Sequence, residues 1–428
     1  MAMGSGAVSA NQLALWLSWP AILGEFGPSP LLGDPAGPPS TSNDSDGIRP
    51  VADLRRPFSE AVRDSMGDHE HVGVSISGGL DSFAVLIEAA RIAAEDGRRV
   101  IAVMAEMTDD AGNSNVPVVR RLLATSSLRN IELHITGLAD CPAGEPDWHL
   151  EGPNLDALPS VNRSLMEKAR DNGATVVMGG NGADELLGTV RYMFGAFTIN
   201  RDWPALRCYW SDTVGNNRQA LLTESLALAT RLLPRAWRSR LYFAAEWPEL
   251  SALKAPEIIS TRHRKRVAAW SAQWITETLA TLTTRHRSWA QMAAWEAVVP
   301  LHILPGPGPI PLRHPFLTPD FVATAQQLPL TRRYDPTLPH PYWRQKAAVI
   351  ALIPKATRSA LPVAKQTFRN DLASRFMAIK SDAANLISCG VIEEKAWATT
   401  SDVSLVNRVN ALEAWIRGAL QRGYSIRD

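Results

Sequence analysis

His71-Val-Gly-Val-Ser-Ile-Ser-Gly-Gly-Leu-Asp-Ser82 is the stretch that decides the fold. Val72, Val74 and Ile76 alternate, as one face of a short strand does. Ser77-Gly78-Gly79 breaks that period, and from Asp81 the apolar residues recur at helical spacing, with Leu86, Ala90 and Ala93 on one face. A strand, a glycine turn and a helix N-terminus together make an anion site. Glycine lets backbone N–H groups approach a phosphate, and the helix dipole favours its negative charge. No Gly-Lys-Ser/Thr follows, so this is not the lysine-bearing Walker loop. The hydroxyls of Ser77 and Ser82 stand where phosphate oxygens would be held. Asp81 would repel a bare phosphate, so it makes sense beside one only with a divalent cation between them.

Outward from this stretch the chain alternates. A helix is predicted over 51–66, with Leu54, Phe58 and Val62 at four-residue steps. Strands are predicted at 72–76, 99–104, 131–135 and 174–179, and helices at 82–96, 116–126, 160–172 and 184–197. Such alternation argues for an α/β fold with a doubly wound parallel sheet. After about residue 200 clear strand patterns disappear, and eleven of the fourteen tryptophans lie there. The expected organisation is three-part. Residues 1–50 form a linker segment, with one short helix at 11–23 and a Pro-, Gly-, Ser- and Asp-rich run from Gly27 to Pro50. Residues 51–200 form a nucleotide-binding core, and 201–428 a helical, substrate-binding part interrupted by Pro305-Gly-Pro-Gly-Pro309.

Composition excludes several classes. A net charge of +1 provides no global field for nucleic acid or for an anionic membrane. Cys141, Cys208 and Cys389 are widely spaced, with no CxxC pair, which suits reduced thiols and not a disulfide frame or zinc site. The apolar stretch from Leu13 to Leu23 is too short to span a bilayer and contains Pro20. No Lys or Arg precedes Arg49, so the positive start of a secretory signal is missing. A cytoplasmic protein is expected.

A second motif repeats the logic of the first: Val177-Met-Gly-Gly-Asn-Gly-Ala-Asp-Glu-Leu-Leu-Gly188. Again a strand ends in glycines and an Asp opens a helix. In a doubly wound sheet, ligands bind beyond the carboxyl ends of the strands where the winding direction reverses. If the strands beginning at 72 and ending at 179 are neighbours there, Asp81 and Asp184 converge. Two carboxylates plus phosphate oxygens are a suitable shell for Mg²⁺. The plain alternatives are an N-cap for Asp184 and a favourable first-turn charge for Glu185.

Ser-Gly-Gly-Leu-Asp-Ser resembles the pyrophosphate loop of the ATP-pyrophosphatase superfamily, whose members cut ATP between the α and β phosphates. With Gly-x-Gly-Ala-Asp-Glu-Leu-Leu-Gly, the resemblance narrows to the synthetase domain of asparagine synthetase B and its descendants. Arg313-His-Pro-Phe-Leu317 is similar to that family's Arg-x-Pro-Phe-Leu segment, and Lys346 followed by Lys365-Gln-Thr-Phe368 to its C-terminal Lys-x-x-Phe region. The matches are collinear over about residues 50–380. The resemblance implies that Ser77, Gly78, Gly79, Asp81 and Ser82 hold pyrophosphate, that Ser75 and Gly179–Gly180 flank the nucleoside, and that Asp81 and Asp184 bind magnesium. Lys365 would reach the phosphates and the reaction centre, supplying the cation that the loop itself lacks. ATP and Mg²⁺ are the implied cofactors.

The departures from the family are informative. Asparagine synthetases begin with a glutaminase whose nucleophilic cysteine follows the initiator Met. Here position 2 is Ala, and about seventy residues precede the first loop. An enzyme without a glutaminase is expected, taking an amine already carried by its substrate, or free ammonia. β-Lactam-forming relatives place Tyr where Asn181 stands and a Glu where Pro311 stands, and asparagine synthetases have Glu at the Asn181 position. Both readings are weakened. The remaining resemblance is to lasso peptide cyclases, which implies adenylation of an Asp or Glu side chain of a peptide and closure of a macrolactam by its N-terminal amine, in natural-product biosynthesis. The expected partner is a peptide or amino-acid-derived substrate carrying a carboxylate and an amine. A leader-binding protein and a peptidase are left open as associates. The alternatives are a small-molecule amide or lactam synthetase and a non-catalytic nucleotide-binding partner.

Other features have plainer readings. No general base stands out: His302, His314 and Glu185 each read better as structural. Arg262-His-Arg-Lys-Arg266 and Arg285-His-Arg287 read as solvated helix faces, and Trp270, Trp274, Trp289 and Trp295 as core. The acidic run Glu106–Asp110 is expected to be a solvated loop at the ligand edge of the sheet.

Overall fold

The computed structural model describes residues 7–18, 53–125, 130–141, 148–150, 152–153, 158–215, 217–246, 257–285, 288–298 and 309–427. His302, most of the 305–309 breaker run, His286–Arg287 and the 27–50 run lie outside the described residues.

Strand β1 (Ala7–Ser9) belongs to a small pair described below. The central sheet contains β2 (His71–Ser75), β3 (Arg99–Glu106), β4 (Ile131–Gly137), β5 (Val176–Met178) and β6 (Leu312–Arg313), in the order β4-β3-β2-β5-β6 and all parallel. The chain winds outward from β2 through β3 to β4, then crosses back to lay β5 on the other side of β2. The reversal therefore falls between β2 and β5, where Val72 pairs with Val176 and Val74 with Met178. Both glycine motifs follow these two strands directly, so the topology alone brings them side by side.

Side-chain alternation splits the sheet's two faces. Val72, Val74, Val100, Ala102, Met104, Val176 and Met178 point into one core with the helices Arg55–Met66 and Leu80–Asp96. Ile101, Val103, Ala105 and Val177 point into the other, under the helix Pro159–Asp171. Gly73 lets that second helix sit close: a Cβ there would lie 2.8 Å from Val177 and 3.4 Å from Ala169. The Leu80–Asp96 helix is buried nearly all round, with Leu80, Val85, Leu86 and Ile92 fully enclosed. Each such side chain contributes about 1.5–3 kcal/mol of burial. The helix ends where Gly97 turns left-handed (φ 70°) and donates to the Ala93 carbonyl.

The expected α/β architecture with a largely helical second half is present, with two departures. The sheet takes its fifth strand from the helical half, because Leu312–Arg313 lies along β5: Val177 donates to the Pro311 carbonyl and Gly179 to the Arg313 carbonyl. The helix predicted over 184–197 is broken into Ala183–Leu187 and Phe194–Ile199. Gly188 leaves helical geometry (ψ 157°), Tyr192 adopts φ 69°, and Thr189 turns its N–H to the Gln345 carbonyl. That long-range bond replaces an intrahelical one.

Two further cores lie beyond the sheet. Helices from Phe194 to Val298 close round Phe197, Tyr209, Tyr242 and Trp289, with Trp274 and Trp295 packed on them, while Trp270 packs on the other core. That other core joins both ends of the described chain. The helix Ala10–Ser18 packs on Val403–Gln421, and β1 pairs with β7 (Ser425–Arg427).

Candidate functional site

The phosphate-type loop is held by its own hydroxyls. Ser75 ends β2. Ser77 N–H donates to Ser82 Oγ (3.2 Å), Gly79 N–H donates to Ser77 Oγ (3.3 Å), and Ser82 Oγ donates to the Gly79 carbonyl (3.4 Å). Gly78 has φ 87°, a conformation that disfavours any side chain. Buried Asn115 ties the loop to the end of β3, since its amide reaches the carbonyls of Ala105 (3.0 Å) and Ser77 (3.5 Å).

The second loop presses against the first. A Cβ on Gly180 would lie 2.6 Å from Ser82 N and 2.9 Å from the Asp81 carbonyl carbon. Only glycine permits this approach. Gly179 is covered from its other side by His314, whose ring would meet a Cβ at 2.9 Å. His314 is half-buried with both ring nitrogens shielded from solvent, and neither makes a close hydrogen bond among the described residues. Burial pushes its pKa below the ordinary histidine value, against a partial offset from the Gly179 backbone. It is a wall of the site and not a poised base.

Asp81 and Asp184 converge as the adjacent motifs require, and between them stands an ammonium. Lys346 Nζ lies 2.8 and 2.7 Å from the two carboxylate oxygens of Asp81 and also pairs with Asp184 Oδ1. Lys346 is 4% exposed. Lys365 joins the cluster from outside, 3.3 Å from Asp184 Oδ2, with its side chain largely exposed. The residues that the resemblance assigns to ATP and metal, the 77–82 loop, Gly179–Gly180, Asp184 and Lys365, therefore lie in one region.

Burial pushes the Asp81 carboxyl up, and Lys346 only partly opposes this. Burial also acts on Asp184, but its side chain is more open, and the attraction of Lys346 and Lys365 outweighs it and holds the carboxyl below its ordinary value. Glu185 is pushed up by burial first, with the Asp184 charge adding to it. Tyr342, at the start of the helix Pro341–Gln345, is raised by burial first and by the nearby Asp81 charge, with a partial offset from the Leu80 backbone.

Two groups were not legible in the sequence. The first is Lys346 in this bridging role. Its place is fixed by Thr189, which donates to the Gln345 carbonyl from both its N–H (3.0 Å) and its hydroxyl (2.9 Å), coupling the Asp184 loop to the residue before Lys346. A lone lysine heading the apolar run Ala347–Leu352 was the available signal. The second is the 106–110 loop, which is no idle solvated stretch. Gln366 donates to Asp109 Oδ2 (3.0 Å), Asp110 N–H to the Thr367 carbonyl (2.8 Å), and Asn370 N–H to Asp110 Oδ1 (3.0 Å). Hydrogen bonds, from the Asn113 amide for Asp109 and the Asn370 amide for Asp110, hold both carboxyls below their ordinary values. This loop anchors the segment that carries Lys365.

As a magnesium site the arrangement does not fit as it stands. The carboxylates are the right hard-oxygen donors, but they aim at a point taken by the Lys346 nitrogen. Among the described residues no group of three or more His, Cys, Asp or Glu side chains is placed to hold a metal.

Comparison with known proteins agrees with the motifs. No curated protein matches the chain. Among solved structures, the U34-tRNA thiolase NcsA from Methanococcus maripaludis with its [4Fe-4S] cluster is 12% identical, over 54% of this chain and 78% of that one, at a TM-score of 0.24, too low to carry an argument. No helix among the described residues is long and apolar enough to cross a membrane. The family model for asparagine synthase matches residues 53–359, well over half of the sequence and spanning both glycine motifs and Lys346, and the chain belongs to that family.

Proposed function

We propose that this member of the asparagine synthase family, whose chemistry is ATP-dependent amide bond formation, closes a macrolactam in a peptide, as lasso peptide cyclases do. The observation that carries the adenylation chemistry is the meeting of the Ser77–Ser82 loop with Asp81, Asp184 and two ammonium groups at the sheet's winding reversal. A substrate carboxylate attacks the α-phosphorus of ATP; the bond to the bridging oxygen breaks, and pyrophosphate leaves. The loop's N–H groups and serine hydroxyls cradle the phosphates, and the ammonium of Lys365, exposed at the mouth, meets the charge that grows on the leaving group. The amine then attacks the acyl-adenylate, the carbon–nitrogen bond forms, and AMP departs. Holding amine and acyl group in one pocket supplies the effective molarity that ring closure needs.

The peptide reading rests on Asn181 and Pro311, which stand where the small-ring and asparagine-forming relatives carry Tyr or Glu. Under it, the substrate is a peptide with a free N-terminus and an internal Asp or Glu. The test is product analysis by mass spectrometry with ATP and a panel of such peptides. Loss of one water from a peptide, with resistance to aminopeptidase, supports the cyclase. Amide formation only on free amino acids makes it a small-molecule synthetase. No product with any acid leaves a nucleotide-binding protein without this chemistry.

A further inference from the structure

We propose that Lys346 is a resident cation of this site, occupying the position between Asp81 and Asp184 so that a divalent metal ion enters only when nucleotide phosphates draw its ammonium away. The inference rests on the ATP-site reading above, but it concerns metal entry and not the bond that is made.

Three observations carry it. The first is geometric. The Lys346 nitrogen touches both oxygens of Asp81 and one of Asp184. Magnesium demands oxygen ligands at about 2.0–2.1 Å in octahedral array. An ion at the point where these carboxylates converge would overlap the ammonium, so the two occupants exclude each other.

The second is mechanical. Lys346 is no swinging surface lysine. It is 4% exposed, its backbone N–H donates to the Trp343 carbonyl (3.1 Å), and its carbonyl accepts from Ile350 N–H (2.9 Å). Thr189 clamps the preceding carbonyl. Lys365, by contrast, reaches Asp184 from an exposed position. The anchored backbone keeps Lys346 at the site, so its ammonium moves only between acceptors within the reach of its own side chain, whereas Lys365 reaches in from outside.

The third is charge. The two carboxylates that would face a metal, Asp81 and Asp184, are already paired with the two ammonium groups of Lys346 and Lys365. Adding a divalent ion alone would leave an excess of positive charge in a half-buried site, which is costly. Triphosphate would reverse the sign: its oxygens would accept from Lys346 and leave the carboxylates of Asp81 and Asp184 open to supply oxygen ligands to a divalent ion. Metal and nucleotide therefore bind with positive coupling, each clearing the other's place.

The experiment is titration of Mn²⁺, followed by the electron paramagnetic resonance signal of the free ion, on the full chain with and without the non-hydrolysable analogue α,β-methylene-ATP. Wild-type protein alone is expected to bind Mn²⁺ at least about tenfold more weakly than with the analogue, the size of an ordinary coupling energy. Lys346→Met is expected to bind Mn²⁺ without nucleotide, at least about tenfold more tightly than wild type, and Asp81→Asn added to it is expected to abolish the gain. Tight one-site binding by nucleotide-free wild type that Asp81→Asn removes would overturn the proposal, and this arm stands even if Lys346→Met fails to fold. Equal affinity of folded Lys346→Met and wild type would overturn it as well. No turnover is measured, so loss of the amide-forming reading and loss of this one are separate results.

Discussion

Gly180→Ala is the most economical perturbation of the site, because it adds one methyl group where two motifs touch. The new Cβ would lie 2.6 Å from Ser82 N, while ordinary contact begins at 3.4 Å, so the two loops must part by about 0.8 Å. The obstacle is backbone, which no rotamer change relieves. Overpacking of this kind costs about 1–3 kcal/mol. If ATP needs the loops at their present spacing, the same energy appears as weaker binding, roughly 5- to 150-fold. Isothermal titration with α,β-methylene-ATP measures the binding, and urea unfolding measures the stability. Gly97→Ala is the matched control. Nothing lies within 4 Å of its Cβ, but φ is 70°, which costs a non-glycine residue about 1–2 kcal/mol. It sits at the far end of the Leu80–Asp96 helix, so it should lose stability and keep its ATP affinity. If Gly180→Ala bound nucleotide as tightly as wild type, the close approach of the two loops would have nothing to do with the phosphate site.

Other expected outcomes follow from exposure and partners. Lys365→Ala, at an exposed side chain, should change unfolding free energy by no more than about 0.5 kcal/mol, while adenylation, read as pyrophosphate release, falls on the order of 10²–10³-fold. Glu413→Ala should do the reverse. That buried carboxylate accepts from the backbone N–H groups of Asn385 (3.0 Å) and Leu386 (3.1 Å), and leaving each unpaired costs about 1–3 kcal/mol, visible in urea unfolding with nucleotide affinity unchanged. His314→Asn should flatten the acid side of the stability profile. Burial lowers the folded pKa of His314, so the unfolded chain takes up a proton near its ordinary value of about 6.5 that the folded chain refuses. Wild-type stability therefore falls as pH drops below that value and levels off below the folded pKa, and the variant should lack this component of the slope in unfolding measured from pH 7.5 to 5.

What the sequence made legible was set by physics local enough to leave a pattern. β2 to β5 were readable because short apolar runs recur between stretches of helical spacing, and that alternation implies a parallel sheet. The place of the site followed, since two glycine-ended strands each carry an Asp just beyond them. β6 was not readable: two residues have no period, and Leu312–Arg313 is a strand only because β5 lies beside it. The broken helix after Leu187 was hidden because apolar residues keep helical spacing through Phe194 and Phe197, while the break is made by Thr189 bonding to Gln345, 156 residues away. The bridging place of Lys346 was hidden for a related reason. One charge in a mostly apolar stretch does not say which carboxylates it will meet, and its 265-residue separation from Asp81 is bridged only by the fold. The grip of Asp109 and Asp110 on the Lys365 segment is long-range too.

The central claim is that these converging groups activate a carboxylate by transferring AMP to it. Exchange of radiolabelled pyrophosphate into ATP, driven by peptides carrying a free N-terminus and an internal Asp or Glu, measures that step alone. The expected result is exchange that requires the carboxylate and disappears in Asp81→Asn and in Lys365→Ala. Nucleotide turnover that yields ADP and phosphate, or carboxylate-driven exchange that persists in both variants, would contradict it.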